Sequence, residues 1–185
     1  MFHPIRIGIV GTGRMAPRFI SEAKYVSGAQ IIAAYNPVKE VDSLDEFRKQ
    51  FPAVICETEN YEHFLEQIDA VYIASPNETH FDYAKKALLL GKHVLSEKPI
   101  AFTKWETQTL YDLAESKKLV LLEAVKAAYC PGFQELINVA KSGKIGEIRD
   151  IEADFTRLAA EGSRERTDAR YGGAFYEFGP SVLVP

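Results

Sequence analysis

The first 124 residues alternate six times between short apolar runs and longer amphipathic stretches. The apolar runs are rich in β-branched residues and are typical of buried strands: IRIGIV, AQIIAAY, AVICE, DAVYIAS, KHVLSE and LVLLEA. The stretches between most of these runs are typical of helices, several of them stopped by a glycine or proline. This alternation predicts an α/β fold: a doubly wound parallel sheet with helices on both faces and right-handed crossovers.

The predicted sheet also indicates where a ligand site lies. In open parallel sheets, ligands bind beyond the carboxyl ends of the strands. The turns that follow strands one, two, four and five occupy residues 11–16, 36–39, 75–80 and 96–99. We therefore look for functional residues in these four turns.

The alternation stops after residue 123, which predicts a domain boundary there and a second unit over residues 124–185. The segment 131–143 predicts a helix, and the segment 147–159 (EIRDIEADFTRLA) alternates loosely, like a longer strand. A lone strand leaves unpaired edges and an uncovered apolar face. We therefore expect an incomplete α+β domain in a chain that is a fragment or pairs with something else. An exposed sheet edge also favours a homo-oligomer.

A glycine-rich stretch, GIVGTGRMA, follows the first predicted strand. Gly11, Gly13 and Ala16 fit the pattern G-x-G-x-x-[G/A] in its required setting of strand, turn and helix. The first glycine permits the turn, the second lets a diphosphate approach the main chain, and the small third residue lets helix and strand pack closely. The helix start then offers N–H groups and a partial positive charge to phosphate. The alternative is an ordinary tight turn.

Asn36 stands at the end of the second strand, where dinucleotide-binding proteins usually carry an acidic residue that binds the adenosine ribose. An amide can still hydrogen-bond a 2′-hydroxyl, but it does not repel a 2′-phosphate as a carboxylate does. Lys39 nearby would suit such a phosphate. The choice between NAD and NADP stays open, and a simple Asn36-Pro37 turn is the alternative.

Two further motifs follow the fourth and fifth strands: SPNETH at 75–80 and SEKP at 96–99. Taken singly, each is compatible with a helix cap or a turn. Their joint placement at strand carboxyl ends favours a shared site. A cis peptide is expected at Lys98-Pro99, since tight turns at active sites tolerate such bonds.

The chain resembles the glucose–fructose oxidoreductase / inositol dehydrogenase family (Gfo/Idh/MocA). The matching pieces, in chain order, are GIVGTGRMA, SPNETH, ALLLGKHVLSEKPIA, GKIGEI and GGAFYEFG. The resemblance implies an NAD(P)-binding Rossmann domain over residues 1–123, followed by a substrate domain of which 124–185 is a part. It also implies an oxidoreductase that moves a hydride between nicotinamide and a carbinol carbon of a sugar, polyol or related compound.

The resemblance also assigns site residues by position. The expected cofactor-binding residues are Gly11, Thr12, Gly13, Arg14, Met15, Asn36, Ser75, Pro76, Asn77, His80, Glu97 and Lys98. Lys98 is expected to be catalytic as well, because its ammonium lowers the cost of the alkoxide that develops as hydride leaves carbon. A packing or hydrogen-bonding role is the alternative for His80.

The match to the family pattern fails in the second unit. Glu177 stands at the position of the family's Asp and is the second candidate catalytic residue, whereas Ser181 stands at that of its His or Tyr. An unaided serine hydroxyl is too weak an acid or base to relay a proton near neutral pH. Two alternatives to the enzyme therefore stay open: a non-catalytic dinucleotide-binding or regulatory relative, and an inactive truncated fragment.

Composition narrows the possible partners, the location and the metal content of the protein. The net charge of −4 argues against a nucleic-acid surface or an anionic membrane surface as the partner. No apolar run approaches the roughly 20 residues that cross a bilayer. The two cysteines, Cys56 and Cys130, lack metal-type spacing, so no metal is expected and a reducing cytoplasm is the expected location.

Overall fold

The computed structural model describes residues 3–37, 42–168 and 170–183, without the side chains of 42, 43, 164, 165 and 177. The chain divides into two compact units, Met1–Glu123 and Ala124–Pro185.

The first unit is built on a parallel sheet, as predicted. Its strands in the described residues are β1 (Ile5–Val10), β2 (Ala29–Tyr35), β3 (Ile55–Glu57), β4 (Ala70–Ile73), β5 (His93–Ser96) and β6 (Leu121–Glu123). They lie in the order β3-β2-β1-β4-β5-β6, and every neighbouring pair is parallel. Strand order therefore reverses between β1 and β4, which is the topological switch point of a Rossmann fold.

Helices connect these strands and cover both faces of the sheet. They are α1 (Met15–Ala23), α2 (Asp42–Gln50), α3 (Tyr61–Glu66), α4 (His80–Leu89) and α5 (Lys104–Lys117). The start of α5 shows why the sequence folds locally this way: Thr103 and Glu106 form a reciprocal capping box. Helix α1 begins at Met15, so the second glycine of the loop, Gly13, stays outside the helix.

Successive residues of the central strands face opposite sides of the sheet, as strand geometry requires. Val10 and Val71 belong to the buried cluster that packs against α3, α4 and α5, whereas Ile9 and Tyr72 belong to the cluster beneath α1 and α2. Gly8 permits one close approach, because a Cβ there would lie 2.5 Å from the Phe64 ring. The sheet is thus held on both faces, and its carboxyl edge is a fixed platform.

The second unit contains α6 (Lys126–Tyr129), α7 (Pro131–Lys141), α8 (Arg164–Thr167) and α9 (Ala174–Leu183). The strand predicted over 147–159 is wrong: these residues are described and form neither helix nor strand. Alternation alone does not supply a hydrogen-bonding neighbour, and a strand exists only when another pairs with it. Ile151 and Leu158 in this segment are 81% and 98% exposed.

Candidate functional site

The carboxyl ends of β1, β2, β4 and β5 lie side by side at one edge of the first unit's sheet. The four turns singled out from the sequence therefore meet there. Three main-chain hydrogen bonds connect neighbouring strand ends: Gly11 N–H to Tyr35 O at 2.8 Å, Ala74 N–H to Val10 O at 2.8 Å, and Glu97 N–H to Ile73 O at 2.8 Å.

Gly11 is the residue on which the first turn depends. Its φ of +94° lies in the region that favours glycine, and a Cβ there would lie 2.7 Å from the main-chain oxygen of Ala74. Gly13 is different, because a Cβ placed on it would meet no atom within 4 Å. The turn is therefore packed tightly at Gly11 and is open at Gly13.

The start of α1 borders this open space. Its N-cap residue Arg14 makes no side-chain cap hydrogen bond, and the first turn contains no acidic residue. The Ala16 N–H donates to Gly13 O at 3.1 Å and Pro17 has no N–H, so it is chiefly the positive end of the helix dipole that suits this start to an anionic ligand. Ala16 is fully buried, as expected for the small residue that lets α1 pack against the sheet. Arg14 is exposed and Met15 is half-buried.

Asn36 joins the glycine turn to the end of β3. Its amide nitrogen Nδ2 donates to Thr12 Oγ1 at 2.8 Å, and its main-chain N–H donates to Glu57 O at 3.0 Å. Thr12 is only 3% exposed, so its side chain supports the turn and its main chain remains the part suited to a ligand. Lys39, which the sequence suggests for a 2′-phosphate, lies outside the described residues.

The turn after β4 is held by its own side chains. Ser75 Oγ lies 2.6 Å from Thr79 Oγ1, and that hydroxyl donates to Pro76 O at 2.7 Å. Asn77–Thr79 forms a single 3₁₀ turn that leads into α4. The Ser75, Pro76 and Asn77 predicted to contact a cofactor therefore lie on a turn with little freedom.

His80, the first residue of α4, is completely buried. Its Nδ1 lies 2.8 Å from Pro99 O and its Nε2 lies 2.9 Å from Ser75 O. The ring thus joins the turn after β4 to the turn after β5 and has no exposed surface for a direct contact. This geometry favours the hydrogen-bonding alternative for His80 over the predicted cofactor contact.

The segment Glu97-Lys98-Pro99 follows β5 and contains the predicted cis peptide between Lys98 and Pro99. Glu97 Oε1 accepts a 2.5 Å hydrogen bond from the hydroxyl of Tyr72, a side chain that is 2% exposed and stacks on Phe19. Burial, and then the bond to Glu97, raise the pKa of Tyr72. Lys98, which lies between Glu97 and Pro99 in the chain, is half-buried.

Tyr72 and Glu123 are site residues that sequence reasoning missed. Glu123 Oε1 accepts the main-chain N–H of Ile100 at 2.9 Å, just after the cis-proline. A tyrosine inside an otherwise apolar run was the available signal, since a buried phenol needs a hydrogen-bond partner. For Glu123 the signal was a carboxylate at the end of an apolar strand.

The remaining candidates belong to the second unit. The main chain of Glu177 and Ser181 lies in α9, and the Glu177 side chain is outside the described part of the chain. In residues 3–37, 42–168 and 170–183, no group of His, Cys, Asp or Glu is arranged to hold a metal ion. Over the same ranges, the structure contains no helix with the length and apolar character of a membrane span.

The family model described as "Oxidoreductase family, NAD-binding Rossmann fold" (GFO_IDH_MocA) matches residues 5–125, which include the whole sheet and its four turns. The chain belongs to this family. It is 33% identical over 180 residues to scyllo-inositol 2-dehydrogenase (NADP(+)) of Bacillus subtilis, covering 96% of this chain and 52% of the relative. It is 30% identical over 187 residues to dTDP-3,4-didehydro-2,6-dideoxy-alpha-D-glucose 3-reductase of Actinomadura kijaniata, covering 96% and 53%.

Solved structures of the Gfo/Idh/MocA family share the fold. Scyllo-inositol dehydrogenase from Lactobacillus casei with bound NAD(H) and scyllo-inositol has a TM-score of 0.69 at 28% identity, covering 78% of this chain and 43% of that one. A 3-ketoreductase from Actinomadura kijaniata in complex with NADP also has a TM-score of 0.69, at 29% identity, covering 80% and 47%. The chain spans about half the length of the curated relatives it matches.

Proposed function

We propose that the first unit binds NAD or NADP across the switch point between β1 and β4, with the diphosphate at the turn from Gly11 to Ala16. The observation that carries this proposal is the contrast between two glycines in one turn. Gly11 is forced into its conformation by the neighbouring strand, whereas Gly13 has open space around its missing side chain. A turn that served packing alone would have no need for a glycine at the open position.

We propose that the protein to which this chain contributes is an oxidoreductase acting on a carbinol carbon of a sugar or polyol. The bound nicotinamide would exchange the hydride. Lys98 would stabilise the developing alkoxide oxygen, and Glu97, fixed by Tyr72, would hold the segment in place. The polyol and ketosugar names of the relatives support this substrate class. Homo-oligomerisation and a cytoplasmic location remain predictions.

A second candidate function is dinucleotide binding without catalysis. It is favoured by Ser181, which occupies the position where the family pattern has His or Tyr. Under this alternative, the chain would bind dinucleotide as tightly as an enzyme does but would transfer no hydride to any polyol.

Calorimetric titration with NAD⁺, NADH, NADP⁺ and NADPH tests the binding proposal directly. We expect saturable binding of at least one of the four, and absence of heat with all four would refute it. Polyol oxidation then distinguishes the two functions. Lys98→Met is expected to lower turnover by about 10²–10³-fold, a larger factor than the dinucleotide affinity lost with its predicted cofactor contact. Lys104→Met, which alters an exposed lysine at the start of α5, is the matched control.

A further inference from the structure

One main-chain peptide group, between Pro99 and Ile100, lies between an acidic and a basic side chain. Its N–H donates to Glu123 Oε1 at 2.9 Å. Its carbonyl oxygen lies 2.8 Å from His80 Nδ1. A carboxylate, a peptide and an imidazole therefore form one hydrogen-bonded chain, in which each bond polarises the next.

The second ring nitrogen of His80 also meets an acceptor. Nε2 lies 2.9 Å from the carbonyl oxygen of Ser75. A neutral imidazole has a single N–H, so it would turn one nitrogen lone pair toward a carbonyl oxygen that has no proton to give. Because the ring is completely buried, water cannot separate the two. Only the imidazolium, with an N–H on each nitrogen, satisfies both contacts.

We infer that His80 is held as an imidazolium, with Glu123 as its counter-charge acting through the Pro99–Ile100 peptide, and that this chain of groups is a positioning device for Lys98. The positioning role rests on the proposed function of Lys98. Two N⁺–H bonds join the turn after β4 to the turn after β5, and the residue next to Lys98 is the one whose carbonyl is bound. Loss of one proton would release one of these bonds.

Of the surrounding charges, the Glu123 carboxylate favours this assignment and Lys98 opposes it. On the segment after β5, the Glu97 carboxylate is bonded to Tyr72, and Lys98 is a like charge that opposes the imidazolium. On α4, Asp82 is exposed and, two residues after the buried His80, faces another side of the helix; at the end of β6 stands Glu123. Burial disfavours a charged ring, so the acceptors on both nitrogens and the carboxylate behind the peptide must offset that cost.

His93 is an internal contrast in the same protein. The main-chain N–H of Val120 donates to His93 Nδ1 at 2.9 Å, so that nitrogen carries no proton and the ring is neutral. The hydrogen bonds of His80 and His93 thus predict different protonation of the two rings in the same sample.

The test is nitrogen-15 NMR of the whole chain, labelled at histidine and free of dinucleotide, at pH 7.5. We expect both His80 nitrogens to give imidazolium shifts, and His93 to give one protonated and one bare nitrogen. His80→Asn identifies the His80 signals; if that variant does not fold, replacing His3, His63 and His93 in turn identifies them by elimination. A bare nitrogen on His80 at pH 7.5 would overturn the inference.

Glu123→Gln separates the counter-charge from the hydrogen bond, because glutamine can still accept the Ile100 N–H. We expect its His80 to lose one imidazolium signal at a pH at which the wild-type chain keeps both. Glu115→Gln, at an exposed position on α5, should keep both signals at that pH. Retention of both signals in Glu123→Gln wherever the wild type retains them would overturn the role of Glu123.

The positioning role has its own readout in the main-chain amide signal of Lys98. We expect this signal to shift when His80 loses a proton, in the wild-type chain and in Glu123→Gln. A Lys98 signal that stays unchanged when His80 loses a proton would overturn the positioning role. None of these measurements uses dinucleotide, so failure of the chain to bind NAD(P) would refute the proposed function and leave the protonation of His80 standing.

Discussion

The two halves of the carboxyl edge are built by different means. After β1 and β2, the turn is shaped mainly by the main chain and by missing side chains, with Gly11 pressed against Ala74 and Gly13 open. After β4 and β5, buried or half-buried side chains fix the turns, with Tyr72 bonded to Glu97 and His80 bonded to two carbonyls. The first half is suited to receive a ligand on bare main chain, and the second to hold a reactive side chain in place.

Because of this difference, substitutions in the edge should affect either the stability of the fold or the binding of a ligand, depending on their position. A substitution that intrudes on the packed glycine should destabilise the fold, and one at the open glycine should affect only a ligand. A substitution in the second half removes an internal hydrogen bond, so it should reduce stability whether or not a ligand is present.

The largest effect is expected at the two glycines. Gly11→Ala should lower the free energy of unfolding by about 3 kcal/mol, because alanine is strained at positive φ and its Cβ meets a carbonyl oxygen. Gly13→Ala should change stability by less than about 1 kcal/mol and weaken dinucleotide binding by about 30-fold, a loss of about 2 kcal/mol. Urea unfolding and calorimetric titration measure the two effects.

Gly132→Ala is the control for both variants. Gly132 in α7 also has open space, because a Cβ placed on it would meet no atom within 4 Å, and its φ is not positive. Its dinucleotide affinity should equal that of the wild type. If Gly13→Ala binds as tightly as this control, the diphosphate does not lie on the Gly13 main chain, and the first half loses its proposed role.

An intermediate effect is expected for Tyr72→Phe, which removes the hydroxyl bound to Glu97. A partly buried carboxylate then loses its donor, at a cost of about 1–3 kcal/mol at pH 7. The pKa of Tyr72 is raised in the folded state. The stability that the Tyr72 hydroxyl adds to the folded state is therefore complete below the unfolded pKa of about 10. It is lost as the pH rises above that value.

Urea unfolding at pH 7 and at about pH 10.5, just above the unfolded pKa, measures this dependence. The stability difference between wild type and Tyr72→Phe should narrow at the higher pH. Tyr25→Phe, at a side chain that is 89% exposed, should have the same free energy of unfolding as the wild type at both pH values. A difference that stays constant, or that grows with pH, would mean that the hydroxyl is not the group responsible.

The first half of the edge could be predicted from sequence, because its features are local. Strand periodicity locates each strand to within about two residues, and the spacing of Gly11, Gly13 and Ala16 locates the turn. Each of these signals depends on neighbours in the chain, such as the alternation of a strand or the glycine that a tight turn requires.

The second half could be predicted only in outline. The sequence predicts the motifs around Ser75 and Lys98, but the bonds that fix them join residues 19, 23 and 25 positions apart, in different elements and turns. Such pairs carry no periodic signal. The strand predicted over 147–159 is wrong for a related reason. Alternation of apolar and polar residues indicates which face would be apolar, but it does not supply a partner strand.

The smallest effect is expected at Glu57, the last residue of β3, whose main-chain oxygen accepts the Asn36 N–H of the first half. Its carboxylate accepts the N–H groups of Thr58, Glu59 and Asn60 and lies 3.0 Å from His63 Nδ1. The bonds from Glu59, His63 and Asn60 lower its pKa to about 2. A lowered folded pKa gives stability that is present above the unfolded value of about 4.3 and is lost as pH falls toward 2.

Glu57→Gln should therefore be less stable than wild type at pH 7, by less than Tyr72→Phe, and the gap should shrink by about pH 3, below the unfolded pKa. Glu66→Gln, an exposed position on α3, is the control in the same urea series. A gap that persists unchanged from neutral to acid pH would show that Glu57 acts through its shape and not through its charge.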